Sequence, residues 1–169
     1  ATSDFAGNIS EFIVFKNVIN DAQRVIIENY LGNKYDLSIS NDLYSFEGTY
    51  GNDIVGIGRT NDEQHLQSMS DSVLMISGAS SLDNDDYVFV GHDNANDLTW
   101  TVAEAPGGGS NVRRLAREWR ADIAGAPGTI IIKIDTTKLP TPPTGYDQYV
   151  VYTDADGDFR SGATTYQVE

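Results

Sequence analysis

The first apolar block of the chain, residues 9–15, sets Ile9, Glu11, Ile13 and Phe15 in alternation with Ser10, Phe12 and Val14. Both sets carry apolar residues, so the block predicts a strand buried on two sides. The period then changes. Asn20, with Gln23 three residues on, is a capping-box start. Ala22, Val25, Ile26 and Tyr30 form one helical stripe, which Ile27 and Leu31 widen. The spacing predicts a helix over 21–31, ended by Gly32.

Beyond Lys34 the pattern becomes short apolar runs separated by Gly, Asn, Asp and Ser. Strands are predicted at 53–59, 72–77, 87–92, 98–103, 114–123, 129–134, 149–153 and 164–168. Three of the five prolines fall within 135–147, which reads as a long edge loop or crossover. Many short strands with turns between them predict a mainly β, antiparallel β-sandwich or jelly-roll-like domain with one short N-terminal α-helix. A chain of 169 residues is enough for one such domain. It divides into a strand and helix (1–34) and a β domain (35–169). Gly107-Gly108-Gly109-Ser110 matches either an engineered flexible linker or a natural glycine loop.

Charge changes the picture more than composition does. The formal charge is -14, and the acids are 18 Asp against 7 Glu. Helix formation would favour Glu, whereas Asp serves turns, caps and calcium ligation. So acidic a chain lacks the basic face that nucleic acid requires. No apolar run is long enough for membrane insertion. The start lacks the basic and apolar regions of a secretion signal, so Ala1 reads as an expression boundary or a cut edge. There is no cysteine, hence no disulfide and no thiolate chemistry.

The densest candidate site is Asp154-Ala155-Asp156-Gly157-Asp158-Phe159. Asp154, Asp156 and Asp158 alternate around a turn glycine, a pattern that can converge on Ca2+ or simply make an Asp-rich hairpin turn. It is not an EF-hand, because the glycine follows the second Asp rather than the third. Asp83, Asp85 and Asp86 precede the 87–92 strand, and Asp93 and Asp97 follow it. They form a weaker calcium set, or two ordinary turns. Asp53 is weaker still. Arg113, Arg114, Arg117 and Arg120 hold four of the 11 basic residues. They read as an anion or glycan-acid site, or as internal ion pairing. His65 and His92 are the only neutral-pH bases, and no nucleophile motif surrounds a serine. No catalytic residues are assigned.

The segment Gly7 to Phe15, followed by Asn20-Asp21-Ala22-Gln23-Arg24 and Tyr30-Leu31, resembles the end of concanavalin-like, laminin-G-type domains of bacterial surface proteins. Residues 52–59, 88–93, 114–119 and the 154–159 turn look like the β domain that follows in large adhesins and gliding or biofilm proteins. The resemblance implies an extracellular, calcium-dependent adhesin in which such a domain can be split by an inserted lectin-type domain. It implies a non-enzymatic, monomeric scaffold that positions adjacent domains of the same polypeptide, with cell-surface glycans met through those neighbours. The alternative is a calcium-dependent carbohydrate-binding module, with Tyr44, Tyr50, Trp100 and Trp119 available for sugar stacking.

Overall fold

The computed structural model describes residues 5–109 and 111–168; Ala1 and Ser110 lie outside them. The architecture is mainly β with antiparallel sheets, two helices and three layers. The first layer is α1 (Asp21–Tyr35). Its capping box is formed as predicted: the Gln23 amide donates to Asn20 Oδ1 (2.8 Å), and the Asn20 amide donates to Gln23 Oε1 (3.0 Å). The helix runs a turn past the predicted stop. Gly32 lies inside it, against Ile39, where an added Cβ would sit 3.2 Å from Ile39 Cδ1. Asp36 takes the left-handed cap instead, with φ 52°.

The second layer is a four-stranded sheet of order β2-β1-β5-β8, comprising β2 (Glu63–His65), β1 (Asn52–Thr60), β5 (Tyr87–His92) and β8 (Trp119–Ala124). The third is a sheet of order β3-β4-β9, comprising β3 (Gln67–Ser70), β4 (Leu74–Ser77) and β9 (Ile131–Ile134). Only Leu66 separates β2 from β3, so the chain turns a corner there from one sheet to the other. Asn61 and Asp62, with φ 51° and 65°, make the two-residue β1–β2 turn. Asp71 and Ser72 also have positive φ in the β3–β4 turn.

Period-two alternation explains why β5 is buried along its whole length. Tyr87 and Phe89 face the helix, in a cluster with Val25, Ile26, Tyr44 and Ile54. Val88 and Val90 face the other sheet, in a cluster with Ile57, Leu74 and Ile76. Asn29 is the one buried polar residue of α1. Its amide donates to the carbonyls of Val25 (2.9 Å) and Asn41 (2.7 Å), and its oxygen accepts from the amides of Leu43 (2.8 Å) and Tyr44 (3.2 Å). That set anchors the loop leading to α2 (Glu47–Tyr50) and delivers Tyr44 to the core.

Two hairpin-like pairs lie apart from these sheets: β6 (Trp100–Thr101) with β7 (Arg114–Leu115), and β10 (Val150–Thr153) with β11 (Thr164–Gln167). Residues 135–147 connect β9 towards β10 through one short 3-10 turn at Thr136–Lys138, as the prolines predict.

Two expectations are corrected, and two strands were not foreseen. Residues 9–15 form no strand. They pair with no other strand among the described residues, and a lone extended segment cannot satisfy its backbone in a ladder. The run 114–123 is not one strand: it breaks at 116–118 into β7 and β8, which belong to different sheets. β2 and β3 were hidden because their residues are polar and they lie at sheet edges.

Candidate functional site

Sheet edges β8 and β9 border an open cleft of about 560 Å³, within the usual range for ligand sites. Leu74, Val90, Ile130 and Ile134 from the inter-sheet core reach its floor. Trp119, packed against that core, and Trp100, Tyr146 and Tyr149 also line it. Trp100 and Tyr149 form a tilted pair, with ring centroids 6.3 Å apart at 35°. The Trp100 indole N–H donates to the carbonyls of Pro140 (3.2 Å) and Thr141 (3.1 Å), so the proline-rich connection holds this ring in place.

Polar groups concentrate at the β7–β8 side. Arg114 pairs with Glu104 (2.8 Å) and Glu118 (2.7 Å). Glu118 also accepts from the Tyr50 hydroxyl (3.2 Å). Burial pushes the Glu118 carboxyl above the usual range, with Arg114 and Tyr50 pulling the other way. Arg117 pairs with Asp71 and, at 3.4 Å, with Asp97. Arg120 donates to the Ala155 carbonyl (2.9 Å) and lies 4.2 Å from the Phe46 ring centroid. The Trp119 indole nitrogen is buried without a hydrogen-bond partner among the described residues. Leaving such a donor unmade costs about 1–3 kcal/mol.

The 154–159 turn sits beside this group. Asp154 and Gly157 line the cleft, and Gly157 lies near the Tyr50 hydroxyl and Glu118. Within the turn, Asp154 Oδ1 accepts from the amides of Asp156 (2.8 Å) and Gly157 (3.1 Å). Asp156 Oδ1 accepts from the Asp158 amide (2.9 Å). Asp158 binds the Arg160 guanidinium, which pulls its carboxyl down to about 2. The three carboxylates thus share one turn, each engaged with a local donor. No group of three or more His, Cys, Asp or Glu among the described residues is gathered as a metal cage.

The second acidic set is divided by β5. Asp86 is buried and accepts from the amides of Asp83 (2.9 Å) and Ala126 (2.8 Å). Asp85 accepts from the Thr60 hydroxyl (2.8 Å). At the far end, Asp93 accepts from the amides of Ala95 (3.0 Å) and Glu118 (3.2 Å), and Asp97 joins Arg117. The ends of a six-residue strand stand roughly 17 Å apart, too far for one ion. Asp53 occupies an irregularity in β1 with φ 47° and accepts from the Asp71 amide.

Neither histidine lines the cleft. His92 is buried, its Nδ1 accepts from the Asn94 amide (3.0 Å), and burial lowers its pKa. Burial also lowers that of His65. Of the four aromatics with stacking potential, Tyr44 is a core residue with its hydroxyl on the Tyr50 carbonyl (2.8 Å), whereas Tyr50, Trp100 and Trp119 line the cleft. Sequence reasoning missed Tyr146 and Tyr149. Their signal was a pair of aromatics closing a proline-rich stretch, where loop aromatics have no strand partner to pack on.

Residues 23–169 match the family described as "Domain of unknown function (DUF8202)". The chain belongs to this family. The DUF8202 match begins inside α1 and includes every strand and the whole cleft lining. Residues 5–18 fall before it. Comparison with curated proteins and with solved structures found no match.

Proposed function

We propose that the chain is a non-enzymatic, calcium-stabilised module of an extracellular bacterial adhesin, which positions neighbouring ligand-binding domains of the same polypeptide. The observation that carries this reading is the segment 5–18. Phe5 is 71% exposed, Phe12 81%, Val14 76% and Val18 99%, with Ile9, Ile13 and Phe15 also exposed. So dense an apolar surface marks an interaction site. It lies before the family match, and its two-sided apolar pattern suits a strand inside an adjacent β domain. Amide hydrogen exchange tests this. Residues 9–15 should exchange at once in this chain alone and slowly when an adjacent β domain is present on the same polypeptide. Equally fast exchange in both removes the reading.

Calcium is proposed at Asp154, Asp156 and Asp158, with the ion taking the place that Arg160 holds at Asp158. An ion at a hundred times its dissociation constant stabilises by about 2.7 kcal/mol. For a domain of this size, Tm should then rise by roughly 5–10 °C when calcium is returned to chelator-treated protein. Asp156→Ala should abolish the rise. An unchanged Tm in the parent chain rejects the site.

A second reading has its own support. The aromatic cleft fits a carbohydrate-binding module, since flat rings stack on sugar faces and the polar rim can meet hydroxyls.

A further inference from the structure

We propose that the cleft binds a sugar ring that carries a negative charge. The proposal rests on the carbohydrate reading of the cleft and names the ligand class within it. Two features of the lining make complementary demands.

The first is apolar. Trp100 and Tyr149 form an aromatic pair, and Trp100 is fixed by two backbone carbonyls. Such a wall takes the flat C–H face of a pyranose.

The second is charge. Four arginines line the cleft, and three are already engaged. Arg114 is neutralised by Glu104 and Glu118, Arg117 by Asp71 and Asp97, and Arg120 is held by the Ala155 carbonyl over Phe46. Arg113 is exposed at the cleft, has no ion pair or side-chain hydrogen bond among the described residues, and its guanidinium lies 5.8 Å from the Tyr146 ring centroid. With 25 acids to 11 bases, a cleft cation that no carboxylate among the described residues has claimed is the group left to meet an anion. A net charge of -14 repels anions in general, so only a ligand that reaches Arg113 and the aromatic wall together would bind. Asp147 also lines the cleft and opposes the ligand's charge. Asp154 lines the cleft too, and its turn amides hold it ionised, so it adds to that opposition.

Carboxylated and sulfated sugars share this chemistry, and the test separates them. Tryptophan fluorescence of the whole chain is titrated with tetrasaccharides of galacturonate, glucuronate and mannuronate, a sulfated galactose tetrasaccharide, and a neutral galactose tetrasaccharide. At least one acidic sugar should bind about tenfold or more tightly than the neutral one. Arg113→Gln should weaken that binding by about tenfold, Asp147→Asn should tighten it, and both variants should melt like the parent. Trp100→Ala should abolish binding. If the neutral sugar binds as well as the acidic ones, or Arg113→Gln changes nothing, the charge assignment falls and the carbohydrate reading stands. If no sugar of either kind binds, both fall.

Discussion

Phe89→Ala is expected to lower the free energy of unfolding by about 3–5 kcal/mol. Phe89 is fully buried at the middle of β5. Its ring stacks on Tyr87 at 5.7 Å and 16°, and tilts against Tyr44 at 6.3 Å and 53°. The same ring closes over Gly56, where an added Cβ would lie 3.0 Å from Phe89 Cδ1. Deleting the ring removes apolar contact with both the helix and β1. It also leaves a cavity, because rings on either side prevent collapse. Domains are stable by about 5–15 kcal/mol in total, so roughly a fifth of the stability or more goes. Urea titration of the two proteins gives the difference. A loss below about 1 kcal/mol would mean that the helix-facing cluster is not packed as described.

Gly91→Ala should cost about 3 kcal/mol or more, for a different reason. A Cβ at Gly91 would stand 2.2 Å from the Tyr50 carbonyl oxygen and 2.7 Å from the Tyr44 hydroxyl. Those two atoms are hydrogen-bonded to each other at 2.8 Å, inside the core. The methyl therefore strains the end of α2 and splits a buried bond. The lower chain entropy of alanine returns only about 0.5–1 kcal/mol. The measurement is a fall in Tm of roughly 6 °C or more. Gly48→Ala is the control, since nothing lies within 4 Å of its added Cβ. An equal fall in both variants would show a general intolerance of side chains around α2 and not the close approach at Gly91.

The arginine cluster shows where pattern reading stops. In one unbroken strand over 114–123, side-chain alternation would place Arg117 and Trp119 on a common face. The break at 116–118 cancels that parity, and contacts decide instead: Arg117 goes to Asp71 and Asp97, and Trp119 to the inter-sheet cluster. Internal ion pairing accounts for Arg114 and Arg117. Arg113 is outside that account, and one number in the sequence does not distinguish it from its neighbour.

The aspartates behave similarly. Their abundance at turns was legible, and Asp86, Asp93 and Asp154 do cap turn amides. Which of them stand near one another depends on the path of the chain between turns. β5 places Asp83, Asp85 and Asp86 at the end opposite Asp93 and Asp97.

The sequence by itself determined the elements whose signals are local. The Asn20–Gln23 box starts α1, the continuous apolar run 87–90 makes β5 a central strand, and turn residues every few positions impose a mainly β class. Caps and side-chain alternation act within a few residues, so they can be read in order. Only the tertiary structure decided what covers each apolar face. It put Tyr44 in the core and Trp100 in the cleft, and it left 9–15 uncovered. Burial depends on surfaces brought together from distant parts of the chain, and alternation records that a residue is apolar without recording its partner.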